Sequence, residues 1–240
     1  MSLLHFCYNW LDKFLLPQLE EKQMASFVRG LRLTSDTRIL DVGCGYGRNM
    51  RLLQDVTAAQ IEGVDINPHI VEENRKAGLR CRTVEDFMSD MEEQNSPCYD
   101  CMIFSHVIEH FMPEDLKRFL DGYLRFLKPG GYVIFVTPLL WKGFYWDFDH
   151  IKMYHPIGIN MVFGEKTAQV QYYGETQLRL IDIWFRRDAH HVHYHRGLYV
   201  ESGASKWWKL LDLFYRFLFK ISFGWIGITN GWMGLYQKVK

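Results

Sequence analysis

The stretch TRILDVGCGYGRNMRLLQDV, residues 37–56, constrains the fold more than any other part of the chain. Ile39-Leu40-Asp41-Val42, apolar but for Asp41, reads as a buried strand. Three glycines follow at alternate positions, Gly43, Gly45 and Gly47, and Arg48 to Val56 reads as a helix. Glycine admits positive φ and lets a backbone approach a ligand closely. A strand that enters a helix through such a turn brings helix N-terminal amides to the strand end.

The scheme repeats. Ile61 to Ile66 reads as a strand, Pro68 starts a helix and Gly78 stops it. LRCRTVEDF predicts a third strand ending at the acidic pair Glu85-Asp86, and YDCMIFSHV a fourth of nearly continuous apolar residues. MPEDLKRFLDGYLRFLKPGG predicts a helix that stops at Lys128-Pro-Gly-Gly131, and YVIFVTP a fifth strand. Strands apolar on both faces, alternating with helices, predict a mostly parallel sheet covered on both sides. With 240 residues and 48% apolar composition, the expectation is one domain around one core.

After Pro138 the pattern changes. LLWKGFYWDFDHIKMYHP reads as an aromatic loop and residues 156–165 as a short helix. TAQVQYY, RLIDIWF and HHVHYH read as strand or hairpin material. SKWWKLLDLFYRFLFKIS is helical and apolar on most faces, and WMGLYQKVK alternates as a closing strand.

Lys and Arg balance Asp and Glu at 28 each, so no whole-protein positive field awaits a nucleic acid. From Arg179 onward, however, ten basic residues face four acidic ones. Five scattered cysteines (Cys7, Cys44, Cys81, Cys98, Cys101) imply no disulfide framework and suit a reducing compartment. Cys98-x-x-Cys101 opens a strand, where neither zinc nor thioredoxin chemistry is expected. The N-terminal MSLLHFCYNWLDKFLL lacks a basic leader and suits an amphipathic helix. No run reaches about 18 apolar residues, so no transmembrane helix is expected and the location expected is cytoplasmic.

In open parallel sheets ligands bind beyond the carboxyl ends of the strands. The glycine turn, Asp65, Glu85-Asp86 and Ser105-His106 all fall there. A carboxylate about 20 residues after a glycine turn can accept from two ribose hydroxyls, and one at the next strand end from an adenine amine. The common object is an adenosine-bearing ligand.

LDVGCGYG, with Gly-x-Gly-x-Gly preceded by Asp41, differs from the dinucleotide fingerprint and resembles motif I of class I S-adenosylmethionine-dependent methyltransferases. The resemblance continues through GVDIN, VEDF, YDCMIFSHVIEH and LKPGGYVIFVTP, covering about residues 30–140. It implies an α/β three-layer sandwich around a seven-stranded, mostly parallel sheet, with WMGLYQKVK as the antiparallel last strand. It divides the single domain into a cofactor-binding core, 30–140, and a substrate-side lid with an inserted hairpin and helix, 141–230. It implies S-adenosyl-L-methionine as cofactor and S-adenosyl-L-homocysteine as product. Asp41 with Gly43, Cys44, Gly45 and Gly47 would face the methionine part, and Asp65 with Ile66 the ribose. Asp86, with Glu85 beside it, would meet the adenine amine. Ser105 and His106 would border the sulfonium through their backbone.

His106-Val-Ile-Glu109-His110 fits H-x-x-E-H, the zinc motif of inverted metallopeptidases. Here it follows a buried strand, and the protease reading falls. The family resemblance implies that Glu109 and His110 face the substrate pocket. Ubiquinone-pathway O-methyltransferases and small-RNA 2′-O-methyltransferases carry a similar E-x-x-E-H that binds a divalent metal. His106 stands where those have Glu. No metal is expected; were one bound by His106, Glu109 and His110, such ligands would favour zinc, iron or manganese over magnesium. WDFDHIKMYHP resembles a stretch after strand five in small-molecule and sugar-type relatives, and would bring Asp147 and His150 over the same pocket. Glu109, His110 and His150 are the candidate catalytic bases. His191, His193 and His195 would share one strand face, as an exposed hairpin.

The chain therefore reads as an enzyme, a methyltransferase acting on an oxygen of a small or lipid- or sugar-linked acceptor. Two alternatives stay open: a metal-assisted RNA ribose 2′-O-methyltransferase, which the neutral charge disfavours, and a non-catalytic binding module. The basic aromatic helix over 206–222 suits a peripheral membrane contact, a buried cap or a dimer contact, so both monomer and homodimer remain in view.

Overall fold

The computed structural model describes residues 19–94, 96–192 and 205–239. The N-terminal amphipathic segment, Cys7, His193 and His195 lie outside them. In chain order the elements are α1 (Leu19–Gly30), β1 (Arg38–Val42), α2 (Arg48–Gln54), β2 (Gln60–Asp65), α3 (Pro68–Lys76), β3 (Cys81–Thr83), α4 (Val84–Gln94) and β4 (Tyr99–Ser105). A 3₁₀ turn (Ile108–His110) leads to α5 (Pro113–Leu124) and β5 (Leu127–Pro138). A second 3₁₀ turn (Phe144–Trp146) precedes α6 (Pro156–Phe163), β6 (Leu178–Asp188), α7 (Ser205–Ile221) and β7 (Ile228–Lys238).

One seven-stranded sheet runs β3-β2-β1-β4-β5-β7-β6. β1 pairs parallel with β2 and β4, β2 with β3, and β4 with β5. β7 pairs antiparallel with β5. This is the methyltransferase-type α/β fold that the sequence predicts. The chain divides into two compact units, Glu20–Phe185 with Gly231–Lys240, and Arg186–Asn230.

In the larger unit both sheet faces are buried, as an all-parallel centre requires. Leu40, Val42, Met102, Phe104, Val133 and Phe135 belong to one apolar cluster. Their neighbours in sequence, Ile39, Cys101, Ile103, Ile134 and Val136, belong to another. The period of two in a strand sends successive side chains to opposite faces. Helix α5 buries Leu116, Leu120, Tyr123 and Leu124, one face at 3.6-residue spacing, in the first cluster. Helix α1 buries Met24, Phe27 and Val28 in the second.

Local chemistry sets the element ends. Asn67 caps α3 by accepting a hydrogen bond from the His69 N–H, with Pro68 in the first turn. Pro129-Gly130-Gly131 falls inside β5, not at the end of α5, as a register shift opposite Tyr99 and Cys101, with Gly130 at φ 76°. Three other expectations change. Glu85 and Asp86 do not end β3; they form the acidic first turn of α4, where they complement the helix dipole, and the Thr83 hydroxyl oxygen accepts from the Asp86 N–H. Thr167–Tyr173 is not a strand. The Tyr173 hydroxyl donates to Ala168 O, and just beyond the segment the Gly174 N–H goes to Val162 O and the Glu175 N–H to Asp121. His190, His191 and Val192 are not in a strand either. In the smaller unit, His191 sits between Asp188 at 3.6 Å and Asp212 at 3.3 Å.

Candidate active site

The turn after β1 is built on left-handed backbone. Gly43 has φ 70°, and a Cβ there would meet Val107 Cγ2 at 2.5 Å, so no larger residue fits without a shift. Gly45 has φ 50°, yet its Cβ direction is open. The loop is therefore tight behind Gly43 and open at Gly45. The Gly43 and Cys44 N–H groups donate to Val64 O at 2.8 and 3.1 Å, pinning the turn to β2. The Cys44 side chain turns inward, with its sulfur 3.5 Å from that of Cys81.

Asp65, at the end of β2, is buried. Its Oδ2 accepts from the Gly45 N–H at 2.9 Å and its Oδ1 from the Asn67 N–H at 2.9 Å. An ionised carboxylate offers about four acceptor positions, so two remain for hydroxyl donors. Ile66 beside it is 84% exposed. Asp41 lies at the base of the loop, fully buried. Its Oδ1 accepts from Asn49 at 3.5 Å, while its Oδ2 has no hydrogen-bond partner among the described residues. Burial pushes its carboxyl up to about 7, against the lowering effect of Asn49. Such a group favours a cation brought against it.

β4 delivers the other wall. His106 follows Ser105 with φ 56°, a left-handed conformation uncommon outside glycine, and its N–H donates to Val136 O at 2.8 Å. This turn aims the imidazole back along the 3₁₀ turn. Its Nδ1 lies 3.3 Å from Glu109 Oε1 and its Nε2 3.3 Å from Glu20 Oε1. Burial alone would push the imidazole down. The two carboxylates outweigh it and lift the group to about 9.

Glu109 is fully buried, and its Oε2 accepts from the Thr137 hydroxyl at 3.0 Å. Its backbone carbonyl accepts from Ile151 at 2.9 Å and Lys152 at 3.1 Å, which ties the loop after β5 to the turn after β4. This tie brings His150 to His110, with ring centroids 5.1 Å apart. His110 Nδ1 lies 3.0 Å from Asp149 O, and His150 Nδ1 lies 2.7 Å from Phe144 O. A carbonyl only accepts, so both rings donate from Nδ1. In the neutral ring each Nε2 then keeps its lone pair. His150 Nε2 is 3.9 Å from Glu109 Oε1 and 3.7 Å from Asp147. One ligand atom from each of Glu109, His110 and His150 falls within a mutual 4.8 Å. Beside them lies an open depression lined by His110, Phe148, Asp149 and Ile151.

Glu109, His110, His150, His106 and Asp147 therefore converge, and Asp41, Asp65 and the glycine turn form a second group. Glu85 and Asp86 stand exposed on α4, with Asp86 3.9 Å from Arg75. Sequence reasoning missed Glu20 and Thr137. Thr137 was open to notice at the end of the VTP strand, whereas Glu20 lies on a helix 86 residues from His106 and carries no local signal.

A family model described as a methyltransferase domain matches residues 11–202. A ubiquinone biosynthesis O-methyltransferase of Nitrobacter winogradskyi is 33% identical over 127 residues, which are 48% of this chain and 44% of that protein. A cyclopropane-fatty-acyl-phospholipid synthase of Escherichia coli is 25% identical over 133 residues, 55% of this chain and 34% of that protein. The chain thus spans less than half the length of these curated relatives. In fold it is similar to a SAM-dependent methyltransferase from Archaeoglobus fulgidus, with a TM-score of 0.61 at 17% identity, over 96% of this chain and 99% of that one.

Proposed function

The chain belongs to the methyltransferase-domain family of S-adenosylmethionine-dependent enzymes, and from that premise we propose that it methylates a hydroxyl oxygen of a small or lipid- or sugar-linked acceptor. The residues present fit the cofactor. The open left-handed turn at Gly45 admits it closely, Asp65 keeps two acceptor positions for a ribose diol, and the partnerless Asp41 Oδ2 suits an ammonium group. Glu85 and Asp86 are the candidates for the adenine amine, and Ser105 and His106, through their backbone, for the sulfonium wall. When bound, S-adenosylmethionine supplies a methyl group on a positively charged sulfur, an electrophile that an oxygen displaces in line.

The observation that carries the reading is the matched pair His110 and His150. Both donate Nδ1–H to backbone carbonyls, and His150 directs its Nε2 toward the buried Glu109. A ring held in that tautomer takes a proton from an acceptor hydroxyl as the new C–O bond forms. Glu109 stabilises the resulting imidazolium. Holding the reactants together contributes the larger share of the rate. The likeness to a ubiquinone biosynthesis O-methyltransferase and to a cyclopropane-fatty-acyl-phospholipid synthase supports small hydroxyl compounds and lipid-linked compounds as the first acceptors to try.

The grouping of Glu109, His110 and His150 within 4.8 Å favours one second reading, a divalent cation that activates the acceptor oxygen. Nitrogen-rich donors would choose zinc, iron or manganese. The His106 imidazole 3.3 Å from Glu109 Oε1 competes with a cation for that oxygen, which has no hydrogen-bond partner among the described residues.

The test is calorimetric titration with S-adenosylhomocysteine, followed by a hydroxyl-acceptor screen with and without a chelator. Micromolar binding and chelator-resistant product support direct base catalysis. Chelator-sensitive turnover restored by one metal selects the second reading. If neither binding nor product is seen, the enzyme reading is abandoned.

A further inference from the structure

Helix α7 belongs to the smaller compact unit, and its exposed apolar residues fall in register. Trp207, Leu210, Phe214, Phe217 and Ile221 recur at intervals of three and four, which is one helix face. They are 75%, 55%, 52%, 50% and 54% exposed. The other side of the helix is covered: Phe219 is buried and Trp208, Leu211, Tyr215 and Leu218 are half-buried. The turn beyond the helix adds Phe223 at 95% and Trp225 at 80%. A soluble surface scatters such residues singly, and a run of this length marks an interaction surface.

Charge indicates what that surface meets. Within this unit's described residues, Asp188 and Asp212 are the acidic side chains, and both are engaged by His191. Asp212 is also 3.4 Å from Arg216. Both carboxylates are thus neutralised inside the unit. Lys209 and Arg187 stand exposed. A protein partner of ordinary composition asks for no such bias. An apolar stripe with tryptophan at its start, a second tryptophan just beyond its end, an exposed Lys209 on the same helix and an exposed Arg187 that donates to Trp225 O is the chemistry of an anionic lipid interface. None of the described helices is long and apolar enough to cross a membrane, so α7 would lie in the interface plane.

We propose that the exposed face of α7, with the Phe223–Trp225 turn, docks this chain on an anionic bilayer surface. The inference stands apart from the choice of methyl acceptor, because none of these residues belongs to the candidate active site.

The experiment is co-sedimentation of the full chain with vesicles of phosphatidylcholine alone and with about one third phosphatidylglycerol. Binding should favour the anionic vesicles and fall roughly tenfold or more between low and high salt, as surface charges are screened. Phe214→Ser with Phe217→Ser should reduce the bound fraction about tenfold, because the apolar area that enters the interface is lost. Lys209→Glu should weaken binding to anionic vesicles only. If the double variant unfolds, Trp207→Ser replaces it, since that side chain is the most exposed of the helix stripe. Equal binding to both vesicle types, or no binding at all, overturns the proposal. So does vesicle binding that survives the Phe and Trp replacements. If the native chain is instead a dimer that Phe214→Ser and Phe217→Ser convert to monomer, with no vesicle binding, the face belongs to a second copy of the chain.

Discussion

The Nδ1 of His106 lies 3.3 Å from Oε1 of the fully buried Glu109, three residues later in the chain. The contact depends on a left-handed backbone at His106, which turns its ring onto the carboxylate and leaves its other nitrogen 3.3 Å from Glu20. A buried carboxylate is costly unless paired, and this imidazole supplies much of the pairing.

The pair makes stability depend on pH. The folded-state value of His106 is lifted to about 9, above the unfolded value near 6.5. The stabilisation is therefore fully present below about pH 6.5 and is lost as pH rises through about 9. Comparing unfolding of the native chain with His106→Gln across pH 6 to 10 should show a difference that shrinks at the alkaline end. A difference constant over that range would refute the assignment.

Asp41 carries the opposite sign. Its carboxyl is raised by burial from its ordinary value to about 7, so ionisation costs the folded chain stability as pH climbs from about 4 to about 7. Asp41→Asn should stabilise the ligand-free protein at pH 8, by an amount on the order of a few kcal/mol. The same change should weaken S-adenosylhomocysteine binding by about tenfold or more, through loss of a charge-assisted hydrogen bond. A variant that gains stability and keeps full affinity would remove Asp41 from the binding site.

Asp65 has a double task, since it holds the Gly45 and Asn67 amides as well as any bound diol. Asp65→Ala should lower S-adenosylhomocysteine affinity by roughly 10- to 100-fold, the effect of losing two hydrogen bonds to a charged group. Asp65→Asn keeps one acceptor and should lose less. Calorimetry on the two variants measures the order directly.

Gly43→Ala should destabilise the chain by about 1–3 kcal/mol, since φ of 70° is strained for alanine and the new Cβ meets Val107 at 2.5 Å. Gly45→Ala meets nothing in the protein, so it should cost less stability while still obstructing the ligand. Denaturant unfolding and ligand titration of both variants separate the two effects.

His150→Ala should lower kcat by about 100-fold or more with a smaller change in KM, the mark of a general base. His110→Ala removes a ring centred 5.1 Å away and tests which imidazole takes the proton. Unchanged turnover in both variants would leave proximity as the whole of the catalysis.

The sheet was legible because its signals are local. Short apolar-rich runs at 39–42, 61–66 and 99–105, each followed by glycine, proline or a turn, mark repeated βα units. Asp65 could be placed at a strand end for the same reason. The acidic pair Glu85-Asp86 was misplaced because β3 lasts only Cys81–Thr83 and a helix begins at Val84, a boundary that apolar pattern marks weakly. Thr167–Tyr173 has strand-like composition, but its own bonds are local, from the Thr167 N–H to Glu165 O and from the Tyr173 hydroxyl to Ala168 O, and the next two N–H groups go to Val162 O and Asp121.

By itself the sequence determined the run of β1, α2, β2, α3, β4, α5 and β5, the glycine turn and the place of Asp65 at the end of β2, since each is encoded over a few consecutive residues. Tertiary structure alone decided that Glu20 reaches His106, that Thr137 holds Glu109, and that both site histidines donate Nδ1 to backbone. It also decided which face of α7 stays uncovered, because a helix apolar on most sides does not state which side its neighbours will bury. These outcomes depend on distances between segments far apart in the chain, which no local period records.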